Sequence, residues 1–387
     1  MLRVLYLVHD ICEPAVRRRV MMLKAGGARV TLAGFRRSSA SPADLGDVVP
    51  VDLGTTKDAG FGQRIAAVAR VAMTIQGRLG GDGVPDVIVC RNLEMLALAA
   101  RLRALYAWAR VPVAYECLDI HRLMLREDAL GAAMRALERY LARDVSLLMT
   151  SSPAFVRHYF RARNQVSSPV ELLENKHFEP METGGNALHR LERAPWRIGW
   201  FGALRCRRSL LTLADFVRAM DGRFEVVLRG KPALTAIPDF HDIVAAEPHL
   251  RFEGPYRNPE DIADIYREVH FSWVVDYFEA GLNSSWLLPN RLYEGCRFGA
   301  IPIAVAGTET ALFLRHRGIG VQLPDLSTDQ LVEMLGDMDT TTVEQLRGKV
   351  LEQDRKTWTF DGEDCRKLVT LLSRLNLHPP EASMKPA

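Results

Sequence analysis

The chain of 387 residues is 48% hydrophobic and 25% charged with a net charge of +3, which describes globular material long enough for two separately cored domains. So mild a charge demands no nucleic-acid partner, and six cysteines without Cys-x-x-Cys or Cys/His ligand spacing indicate neither a disulfide framework nor a zinc site. The opening "LRVLYLVHD" reads as a strand rather than a signal peptide, and no apolar run is long enough to span a bilayer, so the expected location is cytoplasmic, with any membrane contact peripheral.

From the N-terminus, apolar strands alternate with helical patterns. "RVLYLV" is followed by the helical "AVRRRVMMLKAGG" and by "ARVTLAGF". After a looser stretch come a helix over 62–79, the strand "PDVIVCR", a helix over 93–109, "VPVAYEC", a helix over 130–144, "VSLLMTSS" and a helix over 153–161. Continuous apolar strands separated by such helices predict a parallel sheet covered on both faces. In the first helix Arg17, Arg18 and Arg19 stand beside apolar residues, a pattern shared by lipid-facing helices and ordinary solvated ones.

The polar "ENKHFEPMETGGNALHRLERAP" reads as a linker, and a second series follows: "WRIGWFGAL", "FEVVLRG", "LRFEGPY", "VHFSWVVD", "AIPIAVAG" and "GIGVQL". The expected organisation is an α/β chain of two Rossmann-like domains. Residues 1–180 form the first, 181–196 the linker, 197–357 the second, 358–377 a helix crossing back over the junction, and 378–387 a flexible tail.

Two dinucleotide signatures are missing. The first strand–helix turn, "LVHDICEPAVRRRV", has no glycine between His9 and Val20, so a pyrophosphate could not approach that backbone closely, and a Walker loop is absent too. The second series differs. Its first strand ends in "GWFGALRCRRS", with Gly202 at the terminus, then Arg205, Arg207 and Arg208, and a helix that Ser209 could cap. Its second strand ends in "LRGKP", where Arg229 and Lys231 flank a glycine. Ligands of open parallel sheets bind beyond the carboxyl ends of the strands, so both basic clusters are expected in one crevice.

The stretch "NSSWLLPNRLYEGCRFGAIPI" supplies a helix start for the same crevice. Pro289 suits the first turn, and the backbone amides from Asn290 to Leu292 would face an anion. Arg291 adds a bidentate contact, while Glu294 would repel phosphate but can accept two hydrogen bonds from a vicinal diol. Phosphate and diol together describe a nucleotide. On spacing alone, Glu294 could equally be a surface residue or a partner of Arg291 or Arg297.

Together "GWFGALRCRRS", "VVLRGKP" and "NSSWLLPNRLYEGCRFGAIPIAVAGTET" resemble the nucleotide-sugar half of GT-B glycosyltransferases, close to family 4 and to its bacterial exopolysaccharide members of the succinoglycan type. "YECLDIHR", "TSSPAFVRHYF" and "ENKHFEP" extend the resemblance over nearly the whole chain. It implies the GT-B fold, with two parallel sheets facing a central cleft, and metal-independent transfer of a sugar from a nucleoside-diphosphate donor. The acceptor would be a saccharide or polyprenyl-diphosphate-linked oligosaccharide of exopolysaccharide synthesis. It gives Glu294 the donor ribose and Arg291 the phosphates. Arg205 and Arg229 with Lys231 would neutralise the diphosphate, and Gly307, Thr308 and Glu309 would form a loop near the donor. Asn175 stands where the family carries an interdomain Asn. Family 4 usually has a second Glu separated by seven intervening residues from the ribose-binding one; here Trp286 occupies that place, leaving Glu279 or Asn283 as alternatives for the sugar.

The mechanism expected from charge is cationic stabilisation of the leaving diphosphate by Arg205, Arg229, Lys231 and Arg291 with a helix N-terminus, without a metal. If transfer inverts configuration, a base must reach the acceptor hydroxyl; Asp119 and His121, just past "VPVAYEC", are the candidates, with Glu116 and Asp10 as alternates. The competing reading is a catalytically silent nucleotide-sugar-binding or scaffold protein.

Overall fold

The computed structural model describes residues 1–37, 44–56, 68, 70, 71, 83–106, 108–181 and 193–377. The chain divides into one unit of Met1–Glu174, Phe178–Glu182 and Phe360–Ala387, and a second of Asn175–His177 and Thr183–Thr359. Of the expected linker, 182–192 lie outside the described residues, as do the expected tail and, except for 68, 70 and 71, the helix expected over 62–79.

In the first unit β1 (Arg3–Val8), β2 (Arg29–Arg36), β3 (Val51–Thr55), β4 (Val87–Arg91), β5 (Val113–Cys117), β6 (Val145–Thr150) and β7 (Val170–Leu172) make one sheet in the order β3-β2-β1-β4-β5-β6-β7. Every pairing is parallel. The first strand is central, and Val4 to Val8 are all buried, as a continuous apolar run requires. β3 and β7, which the sequence pattern does not single out, are the edges; Gly54 breaks the pattern of one at φ +118°, and the other is three residues long.

Helices Pro14–Ala25, Asn92–Leu105 and Ala129–Ala142 connect these strands, and the C-terminal helix Gly362–Leu377 returns to lie against the first of them. The approach is close. A Cβ added at Gly26 would stand 2.3 Å from the Cys365 carbonyl oxygen. Cys365, Leu368 and Leu372 join the core of β1, β2 and β4.

Under that core lies a buried charge network. Glu116 of β5 is fully buried and accepts from Tyr6 (2.5 Å), Arg19 Nε (2.6 Å) and Arg91 Nε (2.8 Å). Burial opposes ionisation, but Arg91, Arg19 and these hydrogen bonds hold its pKa down at about 2. Arg19 is thus core structure, not part of a lipid-facing basic face, and Arg17 Nε donates to the Asp44 carbonyl.

The second unit holds β9 (Trp196–Leu204), β10 (Phe224–Pro232), β11 (Leu250–Phe252), β12 (Phe271–Trp273), β13 (Ile301–Val305) and β14 (Val321–Leu323) in the order β11-β10-β9-β12-β13-β14, all parallel. The strand order reverses between β9 and β12, so their carboxyl ends open a crevice at a topological switch point. Short β8 (His177–Phe178) and β15 (Thr359–Phe360) pair where the chain passes between units.

Candidate functional site

At the carboxyl end of β9, Arg205 follows the strand directly. The helix after it starts at Arg207 and is capped by Cys206, whose sulfur accepts from the Ser209 amide; Ser209, the expected cap, is buried instead. Arg207 and Arg208 turn away. One pairs with Asp239 (2.6 Å), and the other donates to the Leu326 carbonyl and lies over Tyr277.

Asp276, just past β12, is the residue that sequence reading missed. Arg205 Nη2 donates to its carboxylate at 3.0 Å, and Arg291 stands 3.9 Å from the same oxygen while donating to the Val275 carbonyl at 2.6 Å. Burial disfavours the Asp276 anion, but Arg291, Arg205 and the Phe278 amide outweigh it and hold its pKa below the ordinary carboxylate range. Two guanidinium groups therefore converge on one carboxylate at the switch point. The Phe278 ring stacks under Arg205 at 4.8 Å. The signal that could have found Asp276 is its position as the first polar residue after "SWVV".

Arg291 belongs to the helix Asn290–Arg297, which places its acidic and basic groups by close packing. Gly295 permits this: a Cβ there would stand 2.8 Å from Ser272 Oγ of β12. The loop before the helix is fixed by Asn175, which donates to the Leu288 carbonyl (2.9 Å), and by Thr310, which donates to that of Leu287 (2.8 Å). Pro289 is the cap residue rather than the first helical one, and the Leu292 amide, expected to face an anion, donates to the Pro289 carbonyl instead. Asn290 is exposed at the helix start.

Glu294 is 4% exposed and accepts from Asn258 Nδ2 at 3.1 Å. Tyr256 lies near it; burial first, then Glu294, raises the phenol's pKa, while Arg291 opposes the shift. The Tyr256 hydroxyl is also 3.8 Å from where a Cβ would stand on Gly202, whose φ of +109° suits glycine. Gly202, Tyr256, Arg291 and Glu294 are thus neighbours.

Arg229 is placed differently. Its Nη2 meets Glu253 at 2.6 Å and Glu268 at 3.6 Å. Lys231, two residues on, is exposed at the end of β10 and has no ion pair among the described residues. Thr308 caps the helix Glu309–Arg317: its hydroxyl donates to the Val305 carbonyl (2.7 Å) and accepts from the Ala311 amide (3.1 Å), so its side chain serves the helix. Glu309 is in the first turn of that helix, and Gly307 precedes it at φ +78°. A small pocket lined by Val275, Asp276, Tyr277, Pro289 and Thr308 opens among these elements.

In the first unit, Asp119 and His121 are both exposed beyond β5. His121 Nδ1 accepts from the Leu123 amide at 3.3 Å, so the neutral ring carries its proton on Nε2 and donates rather than accepts there. Glu116 is committed to the buried network, and Asp10 accepts from the Cys12 amide (3.0 Å). His9 contacts Asn92 at 3.2 Å and lies 3.6 Å from Glu13.

No family model matches the sequence. Over 386 residues the chain is 53% identical to the succinoglycan biosynthesis protein ExoL of Rhizobium meliloti (strain 1021), covering 98% of this chain and 96% of that protein. The chain belongs to the ExoL family. Among solved structures, sucrose-phosphate synthase from Thermosynechococcus elongatus is similar to this ExoL-family chain with a TM-score of 0.74 at 13% identity, covering 97% of this chain and 99% of that one. HepE of Anabaena, solved with UDP and glucose, gives 0.64 at 15% identity over 96% and 99%. WaaG, a glycosyltransferase involved in lipopolysaccharide biosynthesis, gives 0.62 at 14% identity over 95% and 99%. The fold is that of the GT-B glycosyltransferases.

One Asp-x-Asp triplet, the common metal ligand of other sugar transferases, is present in this ExoL-family chain as Asp337-Met338-Asp339. Asp339 uses its carboxylate as a helix cap, accepting from the Thr342 amide at 2.8 Å. Among the described residues no three His, Cys, Asp or Glu side chains are grouped to hold a metal.

Proposed function

We propose that this protein transfers a sugar from a nucleoside-diphosphate donor to a saccharide acceptor, lipid-linked and handled at the inner face of the cytoplasmic membrane, in exopolysaccharide assembly. The observation that carries the reading is the convergence of Arg205 and Arg291 on Asp276, beside Glu294, at the switch point of a parallel sheet in an ExoL-family chain with the GT-B fold. HepE, of like fold, is solved with UDP and with UDP-glucose, which supports a uridine donor.

In this reading Glu294 holds the ribose diol, with Asn258 fixing its second oxygen. Arg205, Arg291 and Lys231 take the charge that grows on the leaving diphosphate, worth most where water is excluded. Asn290 and the backbone of Gly202 and of Thr308–Glu309 border the donor. Arg229 holds the Glu253 and Glu268 edge. Asp119 is the acceptor-side base if configuration inverts, and His121 donates to the acceptor.

Calorimetry with a panel of UDP- and GDP-sugars tests this. Wild type should bind one donor, and Glu294→Ala and Arg291→Ala should each weaken it by about 1–3 kcal/mol, the range for a charge-assisted hydrogen bond, with a smaller loss for Arg229→Ala. Absence of binding and of transfer across the panel would overturn the assignment, while binding without transfer to any acceptor would favour a silent nucleotide-sugar-binding protein.

A further inference from the structure

The strand order of the first sheet reverses between β1 and β4, so the carboxyl ends of these two strands form its switch point, where an open parallel sheet binds a ligand. Asp119 and His121 follow β5 instead, one strand away. Three other polar side chains meet at the switch point itself. The β1–β4 register ends with Leu7 opposite Cys90, and carried two residues further it sets His9 against Asn92. Asn92 stands at φ +69° where β4 gives way to the helix Asn92–Leu105, a left-handed backbone that asparagine tolerates better than most residues. Its Nδ2 lies 3.2 Å from His9 Nδ1. Glu13, just before the helix Pro14–Ala25, holds Oε2 3.6 Å from His9 Nε2.

Each of the three is anchored, and each keeps one polar atom open. The His9 side chain is 12% exposed; burial first, then Arg37 and Arg91, holds its pKa below the ordinary value against the pull of Glu13 and Glu94, so the ring is neutral. With Nδ1 accepting from Asn92, the proton sits on Nε2. At 3.6 Å that N–H is too far from Glu13 for a hydrogen bond, and it has no other acceptor among the described residues. Arg91 Nη1 grips Glu13 Oε2 at 3.0 Å, and although burial disfavours the anion, Arg91 and His9 hold the Glu13 pKa down. Glu13 Oε1 and Asn92 Oδ1 accept nothing among the described residues. Arg91 itself is fully engaged, with Nε on Glu116 (2.8 Å) and Nη2 on the Ala15 carbonyl (3.3 Å).

The open atoms are thus one N–H donor and two acceptors, one of them anionic, with no cation left over. A phosphate is mismatched there, since Glu13 repels it. Two ligating side chains are too few for a divalent cation, and no third is grouped with them among the described residues. A sugar hydroxyl matches, because it accepts from Nε2–H while donating to a carboxylate oxygen, and a hydroxyl on the adjacent ring carbon can donate to the amide oxygen.

We propose that His9, Glu13 and Asn92 form a binding site for an uncharged pyranose, taking two adjacent hydroxyls of one sugar ring. That this sugar is the terminal residue of the acceptor rests on the transferase reading above, but saccharide binding itself is measured without any donor.

The test is NMR of the full chain labelled at its histidine rings, with the His9 signals identified by their loss in His9→Gln. Methyl β-D-glucopyranoside and methyl β-D-galactopyranoside are titrated in, with inorganic phosphate as the charged control. At least one glycoside should move the His9 signals, and phosphate should not. Affinities of variants are read from saturation transfer to the glycoside methyl group. Glu13→Gln should weaken binding about tenfold, and His9→Gln and Asn92→Gly each about fivefold, as expected for a charge-assisted and a neutral hydrogen bond. Asn92→Gly suits the left-handed backbone and removes only the amide, so it decides the matter even if Glu13→Gln unfolds for want of the Arg91 pair. The proposal is overturned if neither glycoside moves the His9 signals at about 100 mM, which fills about nine-tenths of a site with a Kd of about 10 mM. It is overturned too if phosphate moves them as strongly, or if His9→Gln and Asn92→Gly bind the glycoside as wild type does. Donor binding with silent His9 signals would refute this site alone, whereas glycoside binding without donor binding would refute the transferase reading alone.

Discussion

Two buried carboxylates of the first unit titrate in opposite directions, and the difference lies in their partners. Glu116 faces two guanidinium groups, so it stays ionised, and the stability it contributes is present above about pH 4.5 and lost as pH falls toward 2. Glu138 faces two phenols, which donate hydrogen bonds but carry no charge to offset burial, and its pKa rises to about 6. The folded chain then keeps a proton between pH 4.5 and 6 that the unfolded chain releases, so stability falls as pH rises through that window, by about 2 kcal/mol. Urea unfolding of wild type and Glu138→Gln across pH 4.5–6.5 should show this fall only in wild type; parallel profiles would refute it.

At the scale of elements, the second unit depends on backbone approach as much as on side chains. Gly230 of β10 stands opposite Gly202 of β9 in register, at φ +128°, and a Cβ on it would lie 2.0 Å from the Gly202 carbonyl oxygen. Both strain and collision oppose any side chain there. Gly307 has a positive φ too but nothing within 4 Å. Gly230→Ala should therefore cost on the order of 3 kcal/mol and Gly307→Ala about 1 kcal/mol in denaturant melts. Equal costs would show that the strand ends relax freely. Motifs such as "LRGKP" reveal the glycine but not its opposite number, because register is set by pairing between strands.

For the whole molecule, the consequence of the topology is that the first unit is closed by the last segment of the chain. Leu368 and Leu372 supply core to strands more than 270 residues earlier in sequence, at about 1.5–3 kcal/mol for each buried side chain. That is a large share of the 5–15 kcal/mol that holds a typical domain folded. A chain ending at residue 361 should lose protease resistance in residues 1–174 while the second unit survives; equal resistance in both would mean the helix is dispensable.

Composition and periodicity alone determined that this protein is α/β, that its strands are parallel and buried on both faces, and where most of them run, because those properties arise from neighbours within a few positions along the chain. The same local signals located Arg205, Arg291 and Glu294 near a helix start and strand ends. What the tertiary structure alone decided is which charge meets which. Arg19 goes to Glu116 across 97 residues, Arg229 to Glu253 across 24, and Arg205 to Asp276 across 71. It also decided which stripe of the helix Ala129–Ala142 faces outward, since the phenols that accommodate Glu138 come from β5 and from the segment Val156–Arg161. Ion pairs and hydrogen bonds act over a few ångströms of space, and only packing brings residues so distant in sequence within that range.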